Sequence, residues 1–106
     1  MSCKVHEINN YTFEARSDGP GRLQLWGSSG NLIAEIDFID DNAPVPAPRF
    51  TLALDSATAY FKRSTLPGLI NLLRKEKCVA VTMSTQPPGY VLVHSAMEPA
   101  SAEMLP

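Results

Sequence analysis

The sequence predicts an α+β domain: a curved antiparallel sheet of five to seven strands with one helix packed on its apolar face. Three observations lead there. Apolar and polar residues alternate with period two through most of the chain, as in strands with one buried face. Turn chemistry separates those runs, at Ser17-Asp18-Gly19-Pro20-Gly21 and Gly27-Ser28-Ser29-Gly30-Asn31. A single segment, Ser64 to Lys77, carries its apolar residues at helical spacing.

The first expected strand runs from Tyr11 to Arg16, with Tyr11, Phe13 and Ala15 opposed to Thr12, Glu14 and Arg16. The second, Arg22 to Trp26, turns Leu23 and Leu25 inward and Arg22, Gln24 and Trp26 outward. After the hairpin signal, Leu32 to Ile39 sets Leu32, Ala34, Ile36 and Phe38 against Ile33, Glu35, Asp37 and Ile39. Pro44, Pro46 and Pro48 make the next stretch a loop, because proline donates no sheet hydrogen bond. Extended structure resumes at Phe50, Leu52 and Leu54, which share one side. Residues 50–62 form one bent strand or two, with a short helix over Asp55 to Phe61 as a weaker option.

In the helix, Ser64 or Thr65 supplies the capping oxygen and Pro67 sits in the first turn. Leu66, Leu69, Ile70 and Leu73 form the apolar stripe that packs on the sheet. Arg74, Lys75 and Lys77 suit the negative end of the helix dipole. Gly68 is discordant, and close approach to the sheet would explain it. Strands at Cys78–Ser84 and Tyr90–Ser95 follow, joined by Gln86-Pro87-Pro88-Gly89. Residues 1–96 are read as one domain and 97–106 as a disordered tail.

Of the 106 residues, 44% are hydrophobic and 19% charged, the balance of a globular domain. Such a chain buries roughly two-thirds of its unfolded surface, so neither metal nor disulfide is required. A net charge of −2 argues against bulk attraction to nucleic acid or anionic membrane. Sorted charges, Glu35, Asp37, Asp40 and Asp41 against Lys62, Arg63, Arg74, Lys75 and Lys77, read as solvated faces or as complementary surfaces of two copies. No apolar run is long enough for a membrane span, and no secretory pattern opens the chain. The expected compartment is the cytoplasm, with Cys3 in a mobile N-terminus and Cys78 packed in the interior, both reduced.

No motif points to chemistry. His6 and His94 lack metal-ligand spacing, and Asp37, Asp40, Asp41 and Asn42 do not match a calcium loop. Glu35 and Asp37 share a face but no predicted cleft. No phosphate loop or nucleophile elbow occurs. The sequence therefore predicts no catalytic residue, no cofactor and no metal. A surface remains: Arg16, Arg22, Gln24, Trp26, Tyr60 and Lys62, where an aromatic among cations could stack a base or anchor a protein.

Leu69-Ile70-Asn71-Leu72-Leu73-Arg74-Lys75-Glu76-Lys77-Cys78-Val79 is similar to a stretch in a group of small bacterial proteins of unknown function. In these a strand-rich first half leads to one helix and a final hairpin. The order of strands then helix also resembles, in topology alone, half of the Whirly-type single-stranded-DNA-binding fold. Neither resemblance implies a catalytic residue. Three functions follow as expectations: a non-enzymatic interaction module, homodimeric or with a protein partner; a single-stranded nucleic-acid binder; or a small-molecule binding protein or enzyme using Tyr90, Cys78 and His94.

Overall fold

A computed structural model describes residues 3–76 and 78–95. The class is α+β, as the sequence predicts, but the eight strands among the described residues divide between two sheets. The larger has the order β2 (Asn10–Arg16), β3 (Gly19–Trp26), β4 (Leu32–Ile39), β6 (Ala57–Lys62), β5 (Arg49–Phe50). The smaller has β1 (Cys3–Ile8), β7 (Val79–Ser84), β8 (Tyr90–Ser95). All pairs are antiparallel except β4 with β6. The proline-rich segment makes that exception possible, carrying the chain back so that β6 starts beside Ala34.

β1 occupies the segment expected to be a mobile N-terminus. Lys4, His6 and Ile8 alternate with Cys3, Val5 and Glu7, but the run is too polar to stand out. Only Asn9 separates it from β2, so one nearly continuous strand passes from the small sheet to the large one. The Asn9 N–H donates to the Trp26 carbonyl at that corner, 2.8 Å away.

The core lies between the sheets. Leu23, Leu25 and Ile36 of the large sheet are fully buried in one cluster with Val81 and Met83 of the small one. The helix is therefore not the sole cover of the apolar face, because β7 and its neighbours share that role. At one end Phe13, Phe38 and Phe61 meet edge to face, with centroids 6.4 and 6.5 Å apart. Gly21 leaves room for Phe13: a Cβ there would stand 3.2 Å from the ring and 2.7 Å from the Glu14 carbonyl. A bulge between Leu25 and Trp26 sets Leu32 opposite Trp26 and brings Ile33 into the core, reversing the expected faces of those two residues.

Residues 50–62 form two strands, with no helix between. Phe50, Leu52 and Leu54 do not share a side: Phe50 ends β5, Leu52 is fully exposed, and Leu54 is buried at φ 56°. Thr51 builds that turn, its Oγ1 accepting the Asp55 and Ser56 N–H groups.

A 3-10 turn (Arg63–Thr65) leads into α1 (Leu66–Lys75). Pro67 sits in the first turn, as expected. No side chain caps the helix locally, since Thr65 Oγ1 donates back to the Lys62 carbonyl. The preceding 3-10 turn is held from afar, with Asp41 Oδ1 accepting the Ser64 N–H at 2.9 Å. Leu69 is buried, while Leu66, Ile70, Leu72 and Leu73 pack partly against the core. Gly68 is exposed with open space at its Cβ position, so close packing does not explain it. Lys77 and the predicted tail, 97–106, lie outside the described residues. Among those described, no helix is long and apolar enough to cross a membrane.

Candidate functional surfaces

Two surfaces carry the functional argument: the outer face of each sheet. Strand pairing defines the first in rows. Glu14, Arg22, Asp37 and Tyr60 form one row across the large sheet, and Thr12, Gln24, Glu35, Thr58 and Arg49 the next. All six residues singled out from the sequence alternate onto this face. Arg22, Gln24 and Trp26 stand on β3, Arg16 on β2, and Tyr60 and Lys62 on β6.

Their chemistry differs from that of an open cationic surface. Arg22 Nε donates to Asp37 Oδ1 at 2.9 Å, with Glu35 at 3.7 Å. The Asp37 hydrogen bond, then its charge and that of Glu35, raise the Arg22 pKa above the ordinary value. Arg16 holds Asp18 through two hydrogen bonds, which likewise raises its own pKa. Trp26 Nε1 donates to Thr12 Oγ1, Thr12 to Gln24 Oε1, and Gln24 Nε2 to Glu35 Oε1. Arg49 donates to the Tyr60 hydroxyl, and Lys62 Nζ turns off the face to the Asp41 carbonyl. The carboxylates were the missed signal. Continued without a break, the register of the Gly27–Asn31 hairpin would set Arg22 opposite Ile36; the bulge at Ile33 shifts it by one and brings Glu35 opposite Gln24 and Asp37 opposite Arg22.

Some of the sorted charges meet within the chain. Asp40 pairs with Arg63 at 3.9 Å, and Asp41 takes Lys62 and the Ser64 N–H.

The outer face of the small sheet is different in kind. Its rows are Cys3–Ser84–Tyr90, Val5–Thr82–Leu92 and Glu7–Ala80–His94. Val5 is 60% exposed, Leu92 50% and Tyr90 46%. Between them β7 offers small residues, of which Ala80 and Ser84 are nearly inaccessible. The result is a furrow with apolar rims. His94 is held on it by Thr82 Oγ1 at Nε2 and the Ser95 carbonyl at Nδ1, each 2.8 Å away.

Tyr90, Cys78 and His94 do not enclose a pocket. Cys78 is an exposed free thiol, not interior packing, and both ring nitrogens of His94 are engaged elsewhere. Cys3, also exposed, pairs with Ser84 at the far end of β7 from Cys78, which separates the two thiols. Tyr90 instead lines a 170 Å³ cleft with Val45, Pro46, Pro48, Tyr60 and Val91. A second cleft, 210 Å³, lies among Arg16, Asp18, Arg22 and Asp37. Both fall short of the roughly 300–1,000 Å³ usual for small-molecule sites. No family model matches the chain, and neither curated proteins nor solved structures yielded a match.

Proposed function

We propose that the protein is a non-enzymatic, cytoplasmic interaction module that self-associates through the outer face of its small sheet. The carrying observation is the row Val5–Thr82–Leu92, which presents two half-exposed apolar side chains on a face that no described element covers. Two exposed free thiols suit a reducing compartment. Sedimentation velocity up to about 1 mM, a Kd equivalent to about −4 kcal/mol, tests the reading. The mass average should climb toward the dimer, and Leu92→Asp should hold the protein monomeric with its thermal midpoint unchanged. A wild-type monomer throughout that range overturns it.

A second reading places single-stranded nucleic acid on the large sheet. It is favoured by the gathering of Arg16, Arg22, Gln24, Trp26, Tyr60 and Lys62 on one face, two of them aromatic. The ion pairs of Arg16 and Arg22 count against it, because a phosphate would have to displace Asp18 and Asp37. Trp26 is the sole tryptophan, so its emission reports directly. Quenching by a short single strand, weakening steeply with salt, supports this reading. An unchanged spectrum at low salt removes it.

A further inference from the structure

We propose that β8 is a docking edge: an extended, uncharged segment of a partner protein adds to the small sheet as a further strand and seats one apolar side chain in the cleft beside Tyr90. The inference goes beyond self-association and does not depend on it.

An edge left open needs a reason, because its unpaired N–H and C=O groups recruit other strands. The described strands leave four edges, β1 and β8 in the small sheet and β2 and β5 in the large one. Three are blunted. β1 is tied through Lys4 and His6 to the turn at 53–55. β2 carries Glu14 and Arg16 at a bulge, and β5 is only two residues long. β8 has none of these devices. Tyr90-Val91-Leu92-Val93-His94-Ser95 contains no proline and no Asp, Glu, Lys or Arg, and its register with β7 is unbroken from end to end. Alternate residues turn their N–H and C=O groups away from β7, where no described strand pairs with them.

The cleft supplies selectivity. Tyr90 and Val91 line one side of it and Ala59, Tyr60 and Phe61 the other, with no β7 residue among them. It therefore lies on the open side of β8. β5 pairs with β6 only at Ala57 and Thr58, so Ala59 to Phe61 also lack a strand neighbour there. Pro46 and Pro48 line the cleft but cannot close the gap, since proline has no N–H for a ladder. A volume of 170 Å³ is small for a ligand site and suits a single apolar side chain. Main-chain pairing for affinity, with a pocket for one side chain, is the chemistry of strand addition.

Size and polarity decide the occupant. A second copy pairing β8 with β8 would bury one six-residue edge, far below the roughly 800 Å² per partner of a stable interface. An antiparallel self-pair centred on Leu92 would also set the other copy's His94 opposite Tyr90, an imidazole at an apolar cleft. A short segment with an apolar residue at that position fills the cleft and pairs with the edge together. It carries no charge there, because β8 offers no counter-ion.

Three end-capped heptapeptides test this, alternating threonine and valine around a central leucine, methionine or phenylalanine. Amide shifts and hydrogen exchange of the full chain are followed by NMR at peptide concentrations up to about 1 mM. At least one peptide should shift the amides of Tyr90–Ser95 and Tyr60 and slow exchange along the β8 edge. N-methylation of its pairing-side nitrogens removes the donors and should weaken binding by about tenfold or more. Tyr90→Lys, shown to be folded by its thermal melt, should weaken it by about tenfold, since it sets a charge at the apolar cleft. No shift with any peptide, or equal binding of the N-methylated one, overturns the proposal. Edge amides already slow in dilute free protein would assign β8 to the chain itself, and slowing that grows with protein concentration alone would assign it to a second copy. Either result also overturns it.

Discussion

His6 Nε2 lies 2.7 Å from the carbonyl oxygen of Leu54, tying the edge strand of the small sheet to a turn belonging to the large one. A carbonyl only accepts, so Nε2 carries the hydrogen. Leu54 occupies the left-handed region at φ 56°, which costs an ordinary residue roughly 1–2 kcal/mol. Burial of its side chain offsets that cost with about 1.5–3 kcal/mol. His6→Ala strips the carbonyl of its partner and should destabilise the fold by about 1–3 kcal/mol in urea melts. His6→Gln, which retains a donor, should recover part of that loss. Equal midpoints for all three proteins would show that the contact contributes nothing.

Asp41 caps the 3-10 turn ahead of α1 from another part of the chain. Its replacement by alanine should cost about 0.5–2 kcal/mol, as for a local cap. Asparagine keeps an accepting oxygen, so Asp41→Asn should lie close to wild type in thermal unfolding. A neutral alanine variant would mean that water serves the Ser64 N–H equally well.

Gly68 stands in an exposed helical position, and a Cβ added there would meet nothing within 4 Å. Gly68→Ala should therefore stabilise the protein by about 0.5–1 kcal/mol through reduced backbone freedom in the unfolded chain. For a domain of this size that is a rise of several degrees in the midpoint. A fall would show that the substitution strains the helix despite the open space at its Cβ position.

The hydrogen bond from Arg16, followed by its charge, holds the Asp18 carboxyl below its ordinary value of 3.8. A depressed folded-state value gives stability that is present above the unfolded pKa and is lost as pH falls through the folded one. Wild type should thus exceed Asp18→Asn by a small margin at neutral pH. Below about pH 4 that margin should close. Denaturant melts of both proteins at neutral and acid pH measure it. A margin independent of pH would place the effect outside this ion pair.

Legibility in the sequence followed the range of the interaction. Period-two alternation marked Tyr11–Arg16, Arg22–Trp26 and Leu32–Ile39, and the Leu66/Leu69/Ile70/Leu73 stripe marked the helix, because each signal is local. β1 stayed hidden since its alternation joins Lys4 and His6 to Ile8 on the inner side, polar groups whose partners lie in the distant turn at 53–55. The division into two sheets was equally invisible. It depends on β1 meeting β7, which no local pattern encodes. On the candidate surface the sequence marked Arg16, Arg22 and Trp26 by strand parity. It could not weigh their charge, because Asp37 reaches Arg22 only across the β3–β4 pairing.

The small sheet joins the earliest strand of the described chain to the last two, with Ile8 opposite Val79 and Cys3 opposite Ser84. During synthesis β2, β3 and β4 can begin pairing as they emerge, while β1 waits until β7 has been made. Its backbone is unpaired until β7 has been made, and its long-range closure should come late and slowly. Lys4 and Glu7 then have a use that the finished fold does not reveal: they place charge on a waiting edge and discourage it from pairing with another nascent chain.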